Sequence, residues 1–277
     1  MAFSLYEKQG VTYLASDCLM ARHAFSTRLG GVSDLPHTAT LNLAFGRGDE
    51  AETVRENLRL LGAAAGFDPA AVISVPQVHG RLVHVVDRRH GGMGYESEAA
   101  FEGDGYVTTD PGVTPGVKTA DCTPILLEAR AQGTPVAVAA LHAGWKGTVS
   151  DIAGEGARIL LREARQMVGD ADVTVHAAIG PCIHPCCFEV KEDCLSVARA
   201  SLAALPHAPD LEAFVVRQGE RTALDLPALN RDLLIRAGVS EERIDVCPLC
   251  TCCHPHLFYS HRATGGVRGT LLSVITL

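Results

Sequence analysis

Three short segments of this chain each set a metal-binding or nucleophilic side chain at the end of an apolar run: His79 in PQVHG, Cys122 in TADCTP and His142 in LHAGWKG. Each is followed by Gly, by Thr-Pro or by Ala-Gly, residues that stop a strand and leave the preceding side chain exposed at a sheet edge. Two imidazoles and one thiolate form a three-ligand set that suits zinc with an open fourth position, where a water would become nucleophilic near neutral pH. The residues alone also allow a plainer reading. Two strand-end histidines would hydrogen-bond to backbone and one free thiol would be buried, because no compact zinc-binding spacing covers the three.

The elements that must position these side chains read as strands mixed with helices. AETVRENLRLLGAAAG (51–66) repeats apolar residues at Val54, Leu58, Leu61 and Ala65, the spacing of a helix, and Gly66 stops it. AAVISVPQVHG and RLVHVVD are expected as strands around His79 and Gly80. DGYVTTDPGVTPGVKTADCTPILLEA is expected as two strands joined by a Pro/Gly turn. PVAVAALHAGWKG is expected as a strand ending in a turn. The longest helix is expected over VSDIAGEGARILLREARQMVG, with Ile152, Ile159, Leu160, Ala164 and Met167 on one side and its first turns weakened by Gly154 and Gly156. VTVHAAIGP reads as a buried strand, 190–213 as mixed and mainly helical, TALDLPALNRDLLIRAGV as a capped helix ending near Gly238, and RGTLLSVITL as a closing strand. No low-complexity linker or fixed-period repeat interrupts the chain. The expected architecture is one α/β domain over residues 1–277, with layered mixed sheets flanked by helices.

Composition narrows the function classes. Over 277 residues, 47% are hydrophobic and 20% charged, as in ordinary soluble globular proteins. A formal net charge of −8 argues against a nucleic-acid-binding protein, since phosphate-backbone contacts need a basic surface. It leaves room for a small phosphate-bearing ligand, which needs only a few local cations. The start, MAFSLYEKQGVTYLA, does not read as a signal peptide, and no apolar run is long enough to span a membrane, so a cytoplasmic location is expected. Eight of the ten cysteines fall in two late clusters: Cys182, Cys186, Cys187 and Cys194, then Cys247, Cys250, Cys252 and Cys253. In a chain of this length without a secretion signal, metal binding, catalysis or inert burial is expected before a disulfide framework.

FSTRLGGVS (25–33), LNLAFGRGDE (41–50), VPQVHG (75–80), DGYVTTDPGV (104–113), TADCTPILL (119–127), LHAGWKGT (141–148), IGPCIHPCCFEV (179–190) and FYSHR (258–262) occur in that order. Together they resemble the laccase-domain family, also called polyphenol-oxidase-like or purine nucleoside phosphorylase-like. The resemblance runs from about residue 22 to the C-terminus. It implies a single α/β domain of layered mixed sheets, related in architecture to a bacterial toxin deamidase that uses a Cys-His pair. It also implies that His79, Cys122 and His142 ligate one catalytic zinc and carry the reaction.

The activities implied are phosphorolysis of adenosine, inosine, guanosine and methylthioadenosine, and hydrolytic deamination of adenosine, so the expected partners are a nucleoside and phosphate. Phosphorolysis needs a phosphate held by cations or backbone N–H groups. Arg28 in TRLGG, Lys146 and Arg262 are the candidates, each with the plainer alternative of a solvated surface cation. The family more often carries arginine where Lys146 stands, and lysine keeps the charge without the bidentate fork. Asn42, Gln77 and Asp121 are candidates for contacts to ribose or base, and Asp121 for orienting a ligand histidine or, alternatively, capping a turn. The chain departs from the family near its end. Ala263 stands where a second arginine is usual, and Arg268 and Thr270 exchange their usual order around Gly269, so Arg268 is the residue that would have to replace a lost anion contact.

Other readings stay open at this stage. A copper polyphenol oxidase would usually show several His-x-His pairs, and this chain has one, His254-Pro-His256; a lone copper could still take the His₂Cys site. An amide hydrolase acting on a peptidoglycan precursor could use a zinc-activated water or a Cys122 thiolate. A zinc-stabilised binding protein fits less well, because structural zinc sites are normally closed by four ligands. Cys247-x-x-Cys250 could join Cys182 or Cys186 in a second structural zinc site, or these could be packed, oxidisable thiols.

Overall fold

A computed structural model describes residues 2–169 and 171–277. Its strands, in chain order, are β1 (Phe3–Lys8), β2 (Val11–Ser16), β3 (Arg22–Ser26), β4 (Val72–Ile73), β5 (Val83–Val85), β6 (Gly105–Thr108), β7 (Thr114–Thr119), β8 (Thr123–Ala131), β9 (Thr134–Ala143), β10 (Val173–Ile179), β11 (Val215–Gln218), β12 (Arg221–Leu224), β13 (Ile244–Val246) and β14 (Leu271–Thr276). The helices are α1 (Ala51–Ala65), α2 (Trp145–Val149), α3 (Ile152–Val168), α4 (Glu192–Ala203), α5 (Leu226–Arg236) and α6 (His261–Thr264).

Two six-stranded sheets carry the fold. The first runs β1-β2-β3-β14-β7-β4 and the second β13-β10-β8-β9-β6-β5, with β11 and β12 as a separate hairpin. Both are mixed: β4 joins β7 in parallel, and β13 and β5 lie parallel to β10 and β6, while the other pairings are antiparallel. Period-two alternation in β9 shows how the layers form. Ala137, Ala139, Leu141 and Ala143 pack with Ile152, Leu160 and Leu229 in a core between the second sheet and the helices. Val138 and Ala140 face the other way, into a core shared with Phe25, Val117 and Ile275 of the first sheet. A third core packs α1 through Val54, Leu58 and Leu61 onto Val11, Ala24 and Val274. The order of layers is therefore helix, sheet, sheet, helices, the layered mixed architecture expected from the sequence. Among the described residues, no helix is long and apolar enough to cross a membrane.

The helix starts and stops have local causes. Gly66 takes φ +85° and closes α1 with its N–H on Gly62 O. Asp151 and Asp225 cap α3 and α5 by accepting from the N–H groups of Gly154 and Ala228. Several expectations need correction. DGYVTTDPGVTPGVKTADCTPILLEA forms three strands, β6, β7 and β8, because Asp121 and Cys122 turn the chain between the two sheets. The turn after His142 is a short helix, α2, with Gly144 at its N-cap. The strands flanking His79 shrink to β4 and β5, and the segment between them is irregular. Met167 is 59% exposed and lies off the buried face of α3, which Ile152, Ile159, Leu160 and Ala164 supply.

Candidate active site

His142 owes its position to strand parity. It continues the series Val138, Ala140 toward the space between the sheets, at the point where β9 ends, and it is 2% exposed. Pairing of β8 with β9 runs to Thr123 opposite Ala143, so one further step of the antiparallel register brings Cys122 opposite Gly144. His79 arrives from the irregular segment between β4 and β5. Its φ of +60° and that of Asp121, +87°, are left-handed values that non-glycine residues seldom adopt. The ligand atoms of His79, Cys122 and His142 all lie within 4.8 Å of one another. The two imidazoles meet edge-on, at 83° with centroids 4.8 Å apart.

One buried carboxylate organises this arrangement. Asp104 accepts from the N–H of His79 (2.9 Å) and of Gly80 (2.7 Å), which fixes the left-handed turn, and from His142 Nδ1 (2.8 Å). The last bond fixes the ring with Nδ1 toward Asp104 and turns Nε2 toward the cluster. Gly144 is required by space. A Cβ there would lie 2.9 Å from His79 Cδ2, 3.4 Å from Cys122 Sγ and 3.6 Å from His142 Cε1.

Electrostatics follow from the crowding. Burial alone would raise the Cys122 thiol, but the His142 and then the His79 imidazoles bring it down to about 6. Burial likewise opposes charge on His142, yet the Cys122 sulfur and the Asp104 carboxylate push it up to about 9. Asp104 itself is held below its usual range by His142 and the Gly80 N–H, against the effect of burial. A thiolate and two imidazoles, one of them backed by a carboxylate, match the donor chemistry of catalytic zinc: three protein ligands, one position left for water or substrate, and an outer partner fixing the tautomer.

Two cavities, of about 280 Å³ and about 310 Å³, share His79, Ala120, Cys122 and Arg268 as a common wall. The first is cationic, with Arg47, Lys118 and Arg268 beside Phe45, Gln77, Thr119 and Thr270. Among the described residues, none of these three cations forms a salt bridge to a carboxylate. Burial lowers Lys118 to about 8, and the nearby Arg47 charge adds to the effect. Arg268 is lowered to about 10 for the same two reasons, and its buried Nε lacks a hydrogen-bond partner among the described residues. The second cavity is more apolar, with Trp145, Ile183, Phe188 and Leu226 facing His261 and Arg262.

The structure sorts the remaining sequence candidates. Arg262 lines the second cavity, its guanidinium over the Phe188 ring and bonded to Cys187 O and Glu189 O. Gln77 lines the first, but its amide is committed to the Lys118 backbone at both ends. Asp121 lines the second cavity without orienting a histidine. Its carboxylate takes the Thr251 hydroxyl (2.6 Å) and the Arg262 N–H (2.7 Å), and Asp104 has the role expected of it. Asn42 is fully buried and does not line either cavity, because Ala44, Asp49 and Thr270 consume its amide. Arg28 is turned away as well: it stacks on Tyr259 and bonds Ala39 O and Pro255 O in a separate depression. Lys146 is exposed, with its ammonium over the Trp145 ring, and lines neither cavity. Asp104, Arg47 and Lys118 escaped the sequence reading. Their available signals were an aspartate opening an apolar strand in GDGYV, an arginine between glycines in FGRGDE, and a lone lysine in an otherwise uncharged strand.

The chain is similar to known proteins over most of its length. The chain is 39% identical over 270 residues to a purine nucleoside phosphorylase of Deinococcus radiodurans, covering 97% of this chain and 94% of the relative. It is 34% identical over 246 residues to adenosine deaminase RL5 from an unknown prokaryotic organism, covering 87% and 88% of the two chains. The crystal structure of YlmD from Geobacillus stearothermophilus superimposes with a TM-score of 0.83 at 31% identity, over 98% of this chain and 97% of that one. The family model described as multi-copper polyphenol oxidoreductase laccase matches residues 22–277, and the chain belongs to that family.

Proposed function

We propose that this protein is a cytoplasmic, zinc-dependent purine nucleoside enzyme that phosphorolyses adenosine, inosine, guanosine and methylthioadenosine and also deaminates adenosine. The observation that carries this reading is the shared wall: His79 and Cys122 stand between a cavity lined by three cations and one lined by aromatic and aliphatic side chains. The names of the relatives, purine nucleoside phosphorylase and adenosine deaminase, support it.

Zinc held by His79, Cys122 and His142 would supply Lewis acidity and lower the pKa of a bound water. The chain's own residues do the rest. Arg47, Lys118 and Arg268 hold the phosphate dianion, replacing solvation that their half-buried charges have lost. Trp145 and Phe188 offer flat apolar surface to the purine. In phosphorolysis a phosphate oxygen bonds to ribose C1′ as the bond from C1′ to the purine nitrogen breaks, and the departing base takes up a proton. Asp104 keeps Nδ1 of His142 protonated, so Nε2 stays directed at the cluster throughout. Lone copper remains compatible with the His₂Cys donors, but a trinuclear copper centre needs more histidines than gather here: among the described residues, the other group of metal-type ligands is four cysteines.

One observation favours a second reading. Cys122, His142 and Asp104 stand in the order nucleophile, base and orienting carboxylate, which a thiolate amidase acting on a peptidoglycan precursor would also use. Titrating the phosphate dependence of adenosine cleavage in Arg47→Ala separates the two. The nucleoside reading predicts a higher KM for phosphate with the metal content unchanged. Amide hydrolysis by metal-free protein, with no effect of Arg47→Ala on nucleoside cleavage, would favour the thiolate.

A further inference from the structure

Away from the cleft, the two late cysteine clusters meet. Cys186 and Cys187 lie in the segment after β10, and Cys250 and Cys253 in the segment after β13. Their four sulfur atoms all lie within 4.8 Å of one another, with Cys186 Sγ 3.5 Å and Cys187 Sγ 3.3 Å from Cys253 Sγ. A tetrahedral zinc with Zn–S bonds of about 2.3 Å holds its sulfurs about 3.8 Å apart, so the cluster is already close to that size. All four are free thiols.

The backbone is shaped for the same end. Cys250-Thr-Cys-Cys253 is a C-x-x-C turn, and the His184 N–H from the other segment points at Cys250 Sγ at 3.4 Å. The two segments are otherwise joined by little regular structure, a single bridge between Cys182 and Cys250 and the Thr251 N–H on Cys182 O. Cys186 and Cys253 are exposed, so an ion can reach the cluster.

We propose that Cys186, Cys187, Cys250 and Cys253 bind a second zinc ion in a closed, four-thiolate structural site. The partners differ from the sequence-based expectation: Cys182 and Cys247 are fully buried and lie outside the group of four. Binding replaces each remaining thiol proton by a bond to zinc and releases those protons to solvent. The ion pins the segment that carries Ile183 and Phe188 to the one leading into Arg262, and so braces the wall of the apolar cavity. No step of the nucleoside chemistry passes through it.

The test is zinc content by elemental analysis of protein purified under reducing conditions, with circular dichroism as the check of folding. Cys122→Ala is expected to retain one zinc per chain, and Cys122→Ala/Cys253→Ser none. Wild-type protein should release two zinc ions to a mercurial thiol reagent. Cobalt added to Cys122→Ala should give the intense visible bands of a tetrathiolate, lost in the double variant. A folded Cys122→Ala that holds no zinc and takes up none when zinc is added overturns the proposal. So does retention of that zinc by the folded double variant, or iron found there in place of zinc.

Discussion

Two sulfur-bearing clusters sit on one fold and are built in opposite ways. His142 and Cys122 stand where β9 and β8 end, at positions fixed by sheet register, and Asp104 at the head of β6 ties both histidines to the same frame. The four-cysteine cluster joins two segments of little regular structure, with one isolated bridge between them. The difference follows from what each cluster has to do. An open reactive centre needs a missing ligand and a rigid base, and neighbouring strands supply the rigidity without surrounding the metal. A closed centre surrounds its ion and ties together segments that share little regular pairing.

That contrast can be broken at several points. The largest effect is expected from removing a ligand of the open centre: Cys122→Ala should lose nucleoside cleavage to the detection limit in a steady-state assay while circular dichroism shows a folded protein. Cys253→Ser, in the closed centre, should lower the melting temperature and cut kcat/KM by less than about tenfold, since it loosens a cavity wall and removes no reacting group. Equal losses of activity in the two variants would erase the distinction.

Asp104→Asn should come next. Its amide can still accept from His142 but cannot accept from the turn N–H groups at every position the carboxylate holds, and loss of such an outer partner costs about 10- to 100-fold in metal affinity or activity. Isothermal titration with zinc, alongside kcat/KM, would show whether the two fall together.

The cavity beside the open centre brings Arg47, Lys118 and Arg268 together. Lys118→Ala should raise the KM for phosphate about ten- to a hundredfold, the equivalent of a charge-assisted hydrogen bond of about 1.5–3 kcal/mol. Because burial has lowered Lys118 to about 8, its charge is lost as pH rises through that value, and kcat/KM for phosphate should fall above it. Stability moves in the opposite direction. Between about 8 and the ordinary value of 10.5 the unfolded chain binds more protons at this lysine than the native one, so its contribution to stability rises with pH. A rate loss in this window without unfolding, shifted upward in Lys118→Arg, would sharpen the assignment. The smallest effect belongs to residues outside the cleft: Lys146→Ala should leave kcat/KM within about twofold. Asn42→Ala should cost about 1–3 kcal/mol of stability by denaturant titration, with the KM values unchanged.

The same contrast explains what was legible in the sequence. Helices α1, α3 and α5 show in their spacing and caps, and strand β9 in its continuous apolar run. The ordered motifs marked His79, Cys122 and His142 as a set, while local spacing left them ambiguous, because sheet register brings them together across long stretches of chain. The cations that line the first cavity escaped the sequence reading for a related reason. Arg28 looked suited to phosphate beside two glycines, but its guanidinium is consumed by Ala39 O, Pro255 O and the Tyr259 ring. Arg47 lies in the loop before α1 and Lys118 on β7, and the two line one cavity only in the folded chain. Hydrogen-bond exhaustion, as at Asn42, and convergence, as at Asp104, are properties of the packed structure.

The central claim is most directly tested by product analysis after incubating the purified zinc protein with adenosine, with and without inorganic phosphate. Adenine and ribose-1-phosphate should appear in equal amounts only when phosphate is present, with any inosine independent of it. Failure to form adenine and ribose-1-phosphate in the presence of phosphate, by folded protein carrying its zinc, would contradict the account.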